Sequence, residues 1–110
     1  MCKGDVVLIP LAYTSELHED TEVKFVPVLV VGINADSVMV AFITTQIELQ
    51  EECDLILHPK KGNGLKKRSV VKVNKIITID QNYIIGRLGS LSTREMRELN
   101  IRLLELFDLH

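Results

Sequence analysis

Nine consecutive residues, Val38-Met39-Val40-Ala41-Phe42-Ile43-Thr44-Thr45-Gln46, constrain the fold of this 110-residue chain more than any other stretch. An apolar run rich in β-branched side chains ends abruptly in two hydroxyls and an amide, the pattern of a buried strand that emerges at a polar edge. A second run, Phe25-Val26-Pro27-Val28-Leu29-Val30-Val31-Gly32, precedes it, and Gly32-Ile33-Asn34-Ala35-Asp36-Ser37 between them is rich in turn formers. Together they predict a hairpin at the centre of a small sheet, with any chemistry gathered near its end.

The rest of the chain arranges itself around that hairpin. Val6-Val7-Leu8-Ile9, closed by Pro10, is a short first strand, because proline ends ladder pairing. Leu11 to Val23 breaks the pattern with Tyr13, Thr14, Ser15, His18 and the acidic Glu16, Glu19, Asp20 and Glu22, a polar loop at the long end for a compact domain. Beyond the hairpin, Ile47 to Glu52 is too polar for a core, and Cys53-Asp54-Leu55-Ile56-Leu57 is a short strand ended by His58-Pro59. Ser69 to Asp80 alternates in part, which puts Lys72 and Asn74 on one face and Val71 and Val73 on the other. Tyr83 to Gly89 is a further extended piece. Ser92-Thr93-Arg94-Glu95 is a capping box, flanked by Leu91 and Met96 as a hydrophobic staple, so a helix starts at Ser92. Met96, Leu99, Leu103, Leu106 and Phe107 then form an apolar stripe for packing, opposite Arg94, Arg97, Glu98, Arg102 and Glu105. About six strands and one terminal helix predict an α+β domain: a small barrel or strongly curved sheet with a helix laid on it.

Length supports one domain over residues 1–110, able to bury roughly two-thirds of the surface of the unfolded chain. A net charge of −2 argues against nucleic-acid binding through an overall positive field, and the absence of Trp argues against a base-stacking platform. Cys2 and Cys53 lack CxxC spacing and read as reduced thiols, as expected in the cytoplasm. No apolar segment approaches the roughly 18 residues that span a bilayer, and Met1 to Asp5 does not open a signal peptide, so no membrane association is expected.

The residues alone leave the chemistry open. His18, His58 and His110 are scattered and neither Cys has a soft ligand beside it, so no metal or other cofactor is expected. Gly62-Asn63-Gly64 lacks the GK[ST] ending of a phosphate loop. The basic cluster Lys60 to Arg68 is the natural place for phosphate contact, although a solvated loop that keeps a sheet edge soluble explains its composition equally simply. What remains is metal-free acid–base or electrostatic chemistry built on Thr44, Gln46, Lys72, Asn74 and a loop cation, and threonines at a strand end are commonly just β-formers.

The ordered segments resemble the MazF/PemK (Kid) family of toxins over nearly the whole chain. The matching pieces are Gly4-Asp5-Val6-Val7, Pro27-Val28-Leu29-Val30-Val31, Ala41-Phe42-Ile43-Thr44-Thr45-Gln46, Gly64-Leu65-Lys66-Lys67, Ser69 to Ile76, Thr78-Ile79-Asp80 and Gly86 to Ser92. Each is weak alone; their order and spacing are specific. The resemblance implies an SH3-like barrel, a homodimer, sequence-specific and metal-independent cleavage of single-stranded RNA, and a cognate antitoxin through which alone DNA is reached. It also implies Thr44 as the catalytic threonine and Gln46 as an RNA contact.

One departure has large consequences. The family places an Arg immediately before the second-strand Pro, and here that position is Val26. In a second branch the Arg and Asp of the later strand match Lys72 and Asn74, which keep charge and hydrogen bonding but lose the bidentate fork and the base. Lys24, two residues before Val26, shares its face in a regular strand, and Arg68 and Arg87 are other sources of charge. The candidates are therefore Thr44, Lys24 and Lys72 for catalysis, with Gln46, Asn74, Tyr13, His18, Lys66 and Lys67 for RNA contact. Two further readings stay open: a catalytically impaired homologue that binds RNA or an antitoxin peptide, and an SH3-like scaffold with no nucleic-acid role.

Overall fold

A computed structural model describes residues 1–10 and 24–108. The expected polar loop from Leu11 to Val23, with Tyr13 and His18, lies outside the described residues. The elements are β1 (Asp5–Pro10), β2 (Phe25–Asn34), β3 (Ser37–Thr44), β4 (Leu55–Leu57), β5 (Ser69–Asp80), β6 (Gly86–Ser90) and α1 (Thr93–Leu106), with single 3₁₀ turns at Ile47–Leu49 and Gln81–Tyr83. The strands form one antiparallel sheet in the order β4-β5-β3-β2-β1-β6. The β2–β3 hairpin is its centre, as the sequence predicts. Its turn is tighter than the composition suggests, with only Ala35 and Asp36 between the strands and Ala35 in the left-handed region at φ 51°.

The apolar runs are continuous rather than alternating because the sheet is buried on both faces. Along β2, Leu29 and Val31 join Val6, Ala41, Val71 and Val73 on one face, where Leu99 of α1 is fully buried and Met96 and Leu103 pack beside it. Val28 and Val30 turn to the other face, with Val7, Ile9, Val38, Val40 and Ile79. Among the described residues no helix residue joins that second cluster, which is gathered by the sheet curling over itself, the curved SH3-like barrel. Bulges supply the curvature. The largest leaves Val73, Asn74 and Lys75 of β5 without partners, since Ala41 pairs with Ile76 while Phe42 pairs with Lys72.

The barrel is closed by the turn after β4. Asn63 is 1% exposed, its Oδ1 accepts the backbone N–H of Lys60 (3.2 Å) and Leu65 (3.0 Å), and its Nδ2 donates to the His58 carbonyl (2.9 Å). The Ser90 N–H of β6 donates to the Gly62 carbonyl at 2.8 Å, so the turn lies on the strand at the far edge of the sheet. A Cβ on Gly64, which holds φ +72°, would run into the Leu88 carbonyl, and one on Gly89 into that of Gly62. Half of the basic stretch is therefore a docked structural turn rather than a solvated loop.

The capping box forms as expected: Ser92 Oγ accepts the Glu95 N–H at 3.2 Å and Glu95 Oε1 accepts the Ser92 N–H at 2.9 Å. Leu91 and Met96 share one core cluster, as a staple requires. The helix outruns the sheet, however, and Leu106 and Phe107 are exposed at 36% and 56% instead of packing. Gly64→Ala should cost about 2 kcal/mol, since it adds left-handed strain to a backbone collision; a urea titration should show it as a lowered midpoint, with Gly62→Ala, which meets no neighbouring atom, near wild type.

Candidate functional site

The ends of β2 and β3 and the segment leading into β5 enclose a cleft of about 540 Å³. Its apolar wall is Val26, Pro27, Ile43, Leu65 and Leu88, its hydroxyls come from Thr44, Thr45 and Ser69, and Lys66 and Lys67 stand exposed at its margin. The register explains the convergence. Val28 pairs with Phe42, and continuing the antiparallel count sets Val26 opposite Thr44. Thr44 in turn pairs with Val70, directly after Ser69.

Two of the hydroxyls are oriented by backbone. Thr44 Oγ1 accepts the Gln46 N–H at 3.1 Å, so its own proton remains available to donate. Ser69 Oγ, buried beneath the cleft, donates to the Lys67 carbonyl at 2.9 Å, which commits its proton and ties down the backbone of Lys67. A cleft with a hydroxyl able to donate, two ammonium groups at its margin and an apolar wall suits an anion carried on a partly apolar body.

Of the residues singled out from the sequence, Thr44, Lys66 and Lys67 meet in this cleft. Gln46 is next to it through its backbone bond to Thr44, with its side chain exposed. Val26 gives the cleft an apolar surface at the start of β2. Lys24 precedes β2, exposed and not part of the cleft wall. Arg68 is exposed and likewise not part of it, while Arg87 pairs with Asp5 at 3.3 Å and donates to Ser90 Oγ, lining a different depression with Met1 and Cys2. Thr45, Ser69, Leu65 and Leu88 were not legible as site residues; the one available signal was Ser69, a small polar residue between a basic cluster and a valine-rich strand.

Lys72 and Asn74 do share a face of β5, but Lys72 does not face solvent or the cleft. It is 6% exposed, and its ammonium donates to Asp54 Oδ2 at 2.6 Å and Glu51 Oε1 at 2.8 Å. Asp54, 2% exposed, also accepts the Glu51 N–H at 2.7 Å, and Asn74 reaches Glu51 from the β5 bulge. The hydrogen bond from Lys72, and then its charge, hold the Glu51 carboxyl below its ordinary 4.5. Burial pulls Lys72 toward its neutral form, and the two carboxylates more than offset that, so its pKa lies above the ordinary 10.5. Cys53 beside them is raised by burial and by Asp54, and stays a thiol near neutrality. A lysine held by two carboxylates is a strut between β5 and the segment before β4. It is poorly placed to meet a phosphate.

Lys72→Met should destabilise the fold by about 3 to 5 kcal/mol, because it leaves Asp54 buried without its cation. The pH dependence follows from the signs. Glu51, depressed in the folded state, contributes stability that is present above 4.5 and lost as pH falls through its folded value. Lys72, raised, contributes stability present below 10.5 and lost as pH climbs through its folded value. Wild-type stability should therefore lose the Glu51 contribution on the acid side and the Lys72 contribution on the alkaline side, and the difference in stability between wild type and Lys72→Met, measured against pH, should narrow at both ends.

Solved structures share this fold. A Mycobacterium tuberculosis toxin, MazF-mt6, matches over 96% of this chain and 98% of its own at 22% identity and a TM-score of 0.74. An endoribonuclease in complex with its cognate antitoxin, from a mycobacterial species, matches over 100% of this chain and 95% of its own at 19% identity and a TM-score of 0.69. MazF from Deinococcus radiodurans matches over 98% and 96% at 13% identity and a TM-score of 0.68. No curated protein sequence matches. The family model that does match, a PemK-like, MazF-like toxin of type II toxin-antitoxin systems, spans residues 2–107, and the chain accordingly belongs to that toxin family.

Proposed function

We propose that this toxin is a metal-independent endoribonuclease that cuts single-stranded mRNA in the cleft at the ends of β2 and β3. The observation that carries the reading is Thr44, whose hydroxyl accepts the Gln46 N–H and keeps its own proton, in a cleft that two lysines also line. Two of the structural relatives are an endoribonuclease bound to its antitoxin and a MazF toxin. The cleft has the parts for the corresponding chemistry. The RNA 2′-oxygen bonds to the adjacent phosphorus and the P–O5′ bond breaks, leaving a 2′,3′-cyclic phosphate and a 5′-hydroxyl. The proton lost from the 2′-hydroxyl and the one gained by O5′ exchange with water. The protein's task is to hold the phosphate in line and to stabilise the charge that grows on its non-bridging oxygens, and a donated Thr44 O–H does the second.

The same reading assigns the chain, over residues 1–110, a homodimeric state, a cytoplasmic location and a cognate antitoxin that covers the cleft. DNA is reached only through that antitoxin. Among the described residues no helix is long and apolar enough to cross a membrane. Gln46 is a further RNA contact in this scheme, together with Tyr13 and His18, whereas Asn74, on the Lys72 face of β5 and outside the cleft wall, is not.

Val26 favours a second reading. Where the family has a guanidinium this cleft has an isopropyl group, which supports a homologue that retains groove and partners but has lost cleavage. Incubation of the purified protein with a long single-stranded RNA in EDTA separates the two. Under the first reading the wild type cuts and Thr44→Ala loses about 100-fold or more in rate. Under the second the wild type binds without cutting, and Val26→Arg gains cleavage.

A further inference from the structure

On the ribonuclease reading, the growing charge on the phosphate needs a cation as well as a hydroxyl, and we propose that Lys66 and Lys67 supply it from the segment before β5, in place of an arginine on β2 or β5. The argument starts from the other cations. Val26 puts an apolar surface where β2 would offer one. Lys72 is bound at 2.6 and 2.8 Å by two carboxylates, and moving it to a phosphate would strip Asp54 of its partner. Arg87 is paired with Asp5 on another part of the surface, and neither Lys24 nor Arg68 contributes to the cleft wall. Lys66 and Lys67 do, on the same cleft as Thr44, and among the described residues neither is engaged in an ion pair.

These two lysines also stand on an unusually well-fixed backbone for exposed residues. On one side the Leu65 N–H is held by Asn63 Oδ1 at 3.0 Å, the Leu65 side chain packs against the helix-covered core, and Gly64 lies against the Leu88 carbonyl. On the other, buried Ser69 grips the Lys67 carbonyl at 2.9 Å. The four-carbon stems are flexible, but their roots are set beside the cleft, which keeps its mouth within reach of both ammonium groups. During the step they form no bond and move no proton. They remain ammonium ions beside the non-bridging oxygens while the 2′-oxygen displaces O5′. A consequence for recognition is that the apolar wall vacated by the arginine, Val26 with Pro27 and Leu88, is open to an unpaired base next to the cut.

The test compares wild type, Lys66→Ala/Lys67→Ala, Lys66→Arg/Lys67→Arg, Lys24→Ala and Lys61→Ala. Cleavage of a long single-stranded RNA in EDTA is read beside binding of a 2′-O-methyl copy, which cannot be cut, across a range of salt. The inference predicts that the double alanine variant loses about 1,000-fold in kcat/KM, mainly in kcat. Its binding of the uncut copy should weaken far less, with a salt slope shallower by about 1.4, two phosphate contacts on a single strand. The arginine pair should restore cleavage to within about 10-fold of wild type, and Lys61→Ala, a basic neighbour outside the cleft, controls for overall charge. The lysines are exposed, so urea midpoints should not move. Full cleavage by the double alanine variant, or a loss carried instead by Lys24→Ala, overturns the inference and leaves the ribonuclease reading standing. A wild type that binds RNA without cutting it ends the ribonuclease reading, and the salt slope then decides alone whether the two lysines hold phosphate.

Discussion

Asn63 commits both ends of its side chain to backbone: its oxygen takes two N–H groups and its nitrogen one carbonyl, all within the turn that follows β4. That turn is where the two edges of the sheet meet. Without it Gly62 would not present its carbonyl to Ser90, Gly64 would not lie against Leu88, and both edge strands would be left open to pair with other chains. The same turn launches Leu65, Lys66 and Lys67 into the cleft, so barrel closure and the chemical character of the site have one origin. Lys60 adds a link to Glu95 at 3.6 Å, which ties the turn to the first turn of α1.

The fold was legible because its signals are local and agree with one another. Valine-rich runs bounded by turn formers located the strands, and Ser92 with Glu95 located the helix to the residue. Where the sequence misled, the cause lay at a distance along the chain. The partial alternation of β5 placed Lys72 and Asn74 together but said nothing of Asp54, eighteen residues away, which makes a candidate site lysine a buried strut. The helical stripe was real, yet its last members, Leu106 and Phe107, run past the sheet they were expected to cover. The site was half legible. Thr44 came from the resemblance, Lys66 and Lys67 from their charge, while Ser69 and Leu88 enter only through strand register and barrel closure, which no local pattern encodes.

The two positively charged groups on either side of β5's first residues illustrate how context decides what a lysine does. Lys72 is buried with two carboxylates, and its charge is consumed in holding β5 to the segment before β4. Lys67 is five residues earlier on the same stretch and exposed, with only its carbonyl engaged. Both are the same side chain on a common scaffold, and which of them becomes a strut follows from which one Asp54 can reach.

The position of β6 in the chain has a further meaning. Leu88 completes the cleft wall, and β6 pairs with β1 at the opposite end of the sequence. The site therefore cannot exist until a strand made late in synthesis has come back to one made at the start. A chain still lacking β6 has the threonine and the lysines but not the Leu88 that completes the wall beside them, so the enclosed cleft is a late product of folding rather than a property of the β2–β3 hairpin.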